Sequence, residues 1–195
     1  MKRKLLAFLI VFFSISSVSY SIEPDIFVQS TVNRASKLLG DDISKNEKIE
    51  KLKLIAKETV DIKGIGFYTL GAKRKSLNEE ERETYSKLFE EYFLKSFSSR
   101  LAEYTNPEID VMSKEKLNNS YTIVNSVLKA TKERPEINID WRIYTKDPSN
   151  PLIRDLIIEG LSLARTQKEE FASVLSSNEN NIEALFKVLK EFASN

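Results

Sequence analysis

Ile137-Asn138-Ile139-Asp140-Trp141-Arg142-Ile143-Tyr144 is the stretch on which the fold turns. Its odd positions, Ile137, Ile139, Trp141 and Ile143, are apolar, while Asn138, Asp140, Arg142 and Tyr144 carry polar groups. That period of two belongs to a strand with one buried face and one wet face. Glu133-Arg134-Pro135 before it and Asp147-Pro148-Ser149-Asn150-Pro151 after it interrupt the chain. Beyond these breakers, Glu108 to Lys114, Tyr121 to Lys129 and Leu152 to Glu159 are further short runs rich in Val, Ile, Tyr and Thr. Connections this short leave no room for a crossover helix, so the four strands are expected to form a twisted antiparallel meander.

Outside this block the period is helical. Ile26, Phe27, Val32, Ala35, Leu38 and Leu39 recur at helix spacing up to Gly40, which predicts a first helix over 25–39. Ser44 and Glu47 have capping-box spacing, and Ile49, Leu52, Ile55, Ala56 and Val60 give the following helix one apolar face. Ile62 to Lys75 reads as a Gly-punctuated hinge with a short helix around Phe67 to Ala72. Asn78 can then cap Glu79-Glu80-Glu81, acids placed where the helix dipole favours negative charge. The helix they open bears Tyr85, Phe89, Tyr92, Phe93, Phe97 and Tyr104, and Asn106-Pro107 bounds it. Two more helices are expected over Ala164 to Leu175 and Asn181 to Phe192. The fold class is therefore α+β, a four-stranded antiparallel sheet packed against several helices.

The N-terminus has its own signature. Lys2-Arg3-Lys4, the apolar run Leu5 to Phe13 and the small-residue stretch ending Ser19-Tyr20-Ser21 form a secretory signal over residues 1–21. An uncleaved anchor would need about 20 apolar residues, more than this run supplies. One domain over 22–195 is expected, located in the periplasm. Removal of the three basic residues turns the net charge of +1 into −2. A slightly acidic chain lacks the basic footprint of a nucleic-acid binder, so no nucleic-acid partner is expected.

The chain of 195 residues has no His and no Cys. Thiolate nucleophiles, disulfides, His or Cys metal sites and Ser-His-Asp triads are all excluded. Neither glycine-rich phosphate motif occurs among the five Gly, and no metal or cofactor site is expected. Asp155 and Glu159 share one strand face about 13 Å apart, too far for a coupled carboxylate pair. Charge satisfaction and the strand-to-helix corner at Gly160 account for them, although a single buried carboxylate beside Tyr leaves a small carboxylate enzyme as an alternative. Lys73-Arg74-Lys75 is either a solvated basic turn or a contact for anionic groups. Asn118-x-Ser120 matches a glycosylation sequon, a frequent chance match.

Six aromatics on one helix, opposite a strand offering Trp141 and several Ile, make either a filled core or the wall of an apolar cavity. Phe89, Phe93, Phe97, Ile139, Trp141 and Ile143 are the expected wall, with Leu161 and Leu163 at its edge.

Particular blocks decide between these. Asp155-Leu156-Ile157-Ile158-Glu159-Gly160-Leu161-Ser162-Leu163, with Gln167-Lys168-Glu169-Glu170-Phe171 after it, resembles the end of the last strand and the following helix in the MlaC family of periplasmic phospholipid-binding proteins. Leu70-Gly71, then Leu77 to Arg82 and the aromatic helix, is similar to that family's central segment, and Asp140-Trp141-Arg142 sits on the third strand as it does there. The resemblance implies helices wrapped around a four-stranded sheet with a deep apolar cavity. It implies phospholipid as cargo, carried between an outer-membrane lipoprotein complex and an inner-membrane Mla ABC transporter, which maintains outer-membrane lipid asymmetry. A monomeric, non-enzymatic carrier is expected; a ligand-free envelope interaction module is the other alternative.

Overall fold

The computed structural model describes residues 21–194, so the expected signal segment lies outside the described residues except for Ser21. Pro24, whose missing N–H costs nothing at a helix start, opens α1 (Pro24–Gly40). α2 (Lys45–Thr59) begins with the Ser44/Glu47 capping box. α3 (Ile62–Thr69) follows, then a 3₁₀ turn (Gly71–Lys75) and α4 (Glu79–Leu101). Asn78 and Glu81 cap α4 reciprocally: the Asn78 side chain accepts from the Glu81 N–H at 2.9 Å, and Glu81 accepts from the Asn78 N–H at 2.8 Å. Five strands come next, β1 (Ile109–Asn118), β2 (Tyr121–Leu128), β3 (Ile137–Tyr144), β4 (Leu152–Ile158) and β5 (Leu161–Ser162). The chain ends in α5 (Leu163–Ser176) and α6 (Ile182–Ser194).

The strands pair in chain order, each antiparallel to the next, as short connections require. Val124 pairs with Trp141 and Trp141 with Leu156, so the three lie in one row across the inner face. In β3 the alternation read from the sequence is the observed one, with Ile139, Trp141 and Ile143 buried. α1 packs on β1 and β2, α5 and α3 on β4, and α4 lies against α2, α3 and α6.

The structure departs from the sequence reading in four places. A fifth strand, two residues long, follows the corner at Glu159 and Gly160, whose φ values of 49° and 81° turn β4 back on itself. The 62–75 stretch is not a hinge. The Asp61 side chain accepts from the Gly64 N–H at 2.8 Å and starts α3 five residues earlier than expected. Its glycines serve contact: a Cβ on Gly66 would sit 2.8 Å from the Phe89 ring, and one on Gly64 would sit 2.5 Å from the Arg154 guanidinium carbon. α4 stops at Leu101, which leaves Tyr104 exposed beneath the Arg134 guanidinium, 5.2 Å from its ring centre. β1 runs on to Asn118 rather than ending at Lys114, because hairpin pairing with β2 continues past the buried part of the sheet.

Candidate functional site

Inward of α4 the molecule is not filled. A cavity of about 210 Å³ lies between α4, α5 and the inner sheet face. Phe89, Tyr92, Phe93 and Phe97 enter it from α4, Trp141 and Leu156 from β3 and β4, and Leu163 and Ala164 from α5. A second cavity of about 140 Å³ lies under α1 and α2 and is lined by Val32, Leu39, Leu52, Leu101, Ile139 and Ile158 among others. Val60, Phe97, Trp141, Ile153 and Leu156 border both. The two spaces are thus compartments of one apolar interior, divided by a few side chains.

Those dividing side chains are held in place. The Trp141 indole donates to the Ser126 hydroxyl at 2.8 Å, and that hydroxyl donates to the Ile139 carbonyl at 2.9 Å. The ring therefore has a fixed orientation with its polar edge satisfied, as a buried indole requires. Phe93 and Phe97, one helical turn apart, stack at 5.4 Å and 12°, and Phe89 stacks on Phe93 at 6.1 Å. Phe171 of α5 meets Phe89 edge-on at 6.2 Å, which sets the spacing of the two helices at one end. Tyr85, below the stripe, is wholly buried and shares hydrogen bonds with the Thr69 hydroxyl at 2.8 Å and the Gly66 carbonyl at 3.1 Å. Burial pushes its phenol far above the ordinary 10.0, so it stays neutral.

The mouth of the larger cavity is polar. Ser96 and Arg100 of α4 face Thr166, Gln167 and Glu170 of α5 across it. The Tyr92 hydroxyl donates to Gln167 Oε1 at 2.7 Å, and Gln167 Nε2 donates to Glu170 Oε2 at 2.9 Å. Burial, and then the Glu170 charge, raise the Tyr92 phenol above its ordinary value; the bond to Gln167 and the Arg100 charge oppose them.

Of the expected wall, Phe89, Phe93, Phe97, Trp141 and Leu163 line the larger cavity, and Ile139, with Phe97 and Trp141, lines the smaller. Two residues fall elsewhere. Ile143 is fully buried in solid core, because the β3 face extends past the cavity. Leu161 is 59% exposed, because the Glu159-Gly160 corner turns it away from the interior. The sequence reading did not single out Val60, Ile65, Tyr92, Ile153 or Leu156 as wall, nor Arg100, Gln167 and Glu170 as the rim. Alternation on β4 and the aromatic stripe carry the signal for Leu156 and Tyr92; nothing local marks the rim residues, which meet only because two helices converge.

Asp155 borders the larger cavity but is committed to the fold. Its carboxylate accepts from the Ser162 hydroxyl at 2.5 Å and the Ala164 N–H at 3.0 Å, and the Arg142 guanidinium stands 3.6 Å away. Arg154 is left over in the β3–β4 register between Ile153 and Asp155, and pairs with Asp61 at 2.5 Å. Glu159 turns to the Asn138 N–H instead, so the two carboxylates serve different ends of the strand. Among the described residues no three acidic side chains are placed to hold a metal ion, and no helix is long and apolar enough to cross a membrane.

The fold has a counterpart among solved structures. The chain is similar to a phospholipid-binding protein from Ralstonia solanacearum, solved in complex with a phospholipid, with a TM-score of 0.74 and 18% sequence identity. The likeness covers 89% of this chain and 98% of that one, which makes the two folds alike over nearly their full length. No curated protein matches the sequence. The family model of the MlaC protein matches residues 29–191, from the second turn of α1 to the last turn of α6, and the chain belongs to the MlaC family.

Proposed function

We propose that this protein is a periplasmic phospholipid carrier. The observation that carries the reading is the unfilled apolar interior between the α4 aromatics and the Trp141 face of the sheet, open at a polar rim. Acyl chains suit such walls: each CH₂ moved out of water contributes about 0.8 kcal/mol, while the headgroup keeps its hydration at the rim. The phospholipid held by the Ralstonia protein of the same fold supports this choice of ligand, as does membership of the MlaC family. Binding and release break no covalent bond, in keeping with a chain that has neither His nor Cys.

The carrier collects phospholipid from one envelope membrane and yields it to the other, working between an outer-membrane lipoprotein complex and an inner-membrane Mla ABC transporter. The basic and apolar run of residues 2–13 is the export signal that takes it there, and the exported chain acts as a monomer. Release needs a partner that widens the interior or offers an equally apolar site, since tails do not leave for water unaided. Native mass spectrometry of protein purified from the periplasmic fraction tests the reading. Phospholipid masses on the folded protein are expected; protein that carries none, and takes none from vesicles after delipidation, defeats it.

A further inference from the structure

The rim of the larger cavity carries one charge of each sign, placed on different helices. Arg100 projects from the last turn of α4, one turn beyond Ser96. Glu170 projects from α5, one turn beyond Thr166 and Gln167. Neighbouring charges are engaged elsewhere: Glu103 pairs with Lys45 at 2.5 Å, Arg165 with Glu169 at 3.0 Å, and Lys95 donates to the Ala193 carbonyl at 3.1 Å. Arg100 has no carboxylate within ion-pair distance among the described residues. Glu170 spends one oxygen on the Gln167 amide, which leaves the other for a further donor. Both charges act on the Tyr92 hydroxyl between them, Glu170 raising its pKa and Arg100 lowering it.

We propose that this rim is a headgroup reader that favours zwitterionic, amine-bearing phospholipids over anionic ones, an inference that rests on the carrier reading. Arg100 takes the phosphodiester, whose oxygens suit a guanidinium fork. Glu170 takes the ammonium of the headgroup. The Tyr92-Gln167-Glu170 chain holds the carboxylate in place, because Gln167 is fixed through its oxygen by Tyr92 and through its amide by Glu170. An anionic headgroup meets Arg100 equally well but leaves Glu170 facing no cation and close to added negative charge. Selectivity at an exposed rim is modest, since water screens both contacts. A preference of several-fold is the expected size.

The test is competitive loading. Delipidated protein is incubated with vesicles of equal parts phosphatidylethanolamine and phosphatidylglycerol, re-isolated, and its bound lipid read by native mass spectrometry. Phosphatidylethanolamine should exceed phosphatidylglycerol by about threefold or more. Glu170→Gln should bring the two to parity by lowering phosphatidylethanolamine loading to the level of phosphatidylglycerol, and Arg100→Gln should lower the loading of both. Both positions are exposed, and thermal melts of the variants check that folding is retained. Wild-type protein that loads the two lipids equally, or a ratio that Glu170→Gln leaves unmoved, overturns the headgroup reader while the carrier stands. Protein that loads neither lipid overturns the carrier, and the headgroup reader with it.

Discussion

Trp141 sits where the two cavities meet, and its orientation depends on a single hydroxyl. Ser126→Ala removes the only acceptor shown for the indole N–H, and an unsatisfied buried donor costs about 1–3 kcal/mol. Urea melts should show that loss, and tryptophan fluorescence, with one Trp in the chain, should report the freed ring. Tyr85 predicts a pH effect. Its folded-state pKa is raised, so its contribution to stability is complete below pH 10 and is lost as pH climbs above 10, where the unfolded chain ionises and the folded one does not. Tyr85→Phe should cost about 1 kcal/mol at neutral pH through two shared hydrogen bonds and should make the alkaline fall in stability shallower. Asp155→Ala should destabilise the fold by a few kcal/mol, about what uncapping α5 and stranding Arg142 imply, yet leave lipid loading of the folded fraction intact. A carboxylate enzyme would behave in the opposite way, with turnover lost in Asp155→Asn and the fold preserved.

Local rules carried most of the elements. The Ser44-Glu47 capping box, the Asn78 cap and the β3 alternation are chemistry between residues a few positions apart, and they are found where the sequence puts them. Misplaced elements are those whose cause lies far along the chain. Gly64 and Gly66 read as loop formers because a glycine costs a helix about 1 kcal/mol against alanine. In the structure the Arg154 guanidinium lies against Gly64 and the Phe89 ring presses on Gly66, where a Cβ would sit 2.8 Å from it. Gly66→Ala should therefore destabilise the protein despite its better helix propensity, by about 1–3 kcal/mol, because the methyl drives α3 off the Phe89 ring. A thermal melt at or above wild type would mean that α3 shifts freely and does not clamp α4. The fifth strand escaped notice because two residues carry no period; their pairing depends on the left-handed corner before them.

At the scale of the molecule, an interior left unfilled lowers the stability of the empty state. Cavities forfeit packing contacts, at roughly 24 cal/mol per Å³ in engineered cases. Cargo that fills the space should restore them, so delipidated protein is expected to melt below the loaded form, and saturation at 100 times the dissociation constant corresponds to about 2.7 kcal/mol. Equal melting temperatures for loaded and stripped protein would place the lipid outside the core. A larger side chain at the shared wall, as in Leu156→Trp, should cut lipid occupancy while the protein stays folded, which circular dichroism and native mass spectrometry can follow together. By itself the sequence determined the fold class, the helix caps, the buried strand face and the exclusion of His and Cys chemistry, because all of these depend on residue type and short spacing. Tertiary structure alone decided that the aromatic stripe borders space rather than solid core, that Ile143 and Leu161 lie away from it, and that Arg100 and Glu170 share its rim. A cavity is a shortfall of volume between elements distant in sequence, and no pattern along one strand or helix records how far apart the others stand.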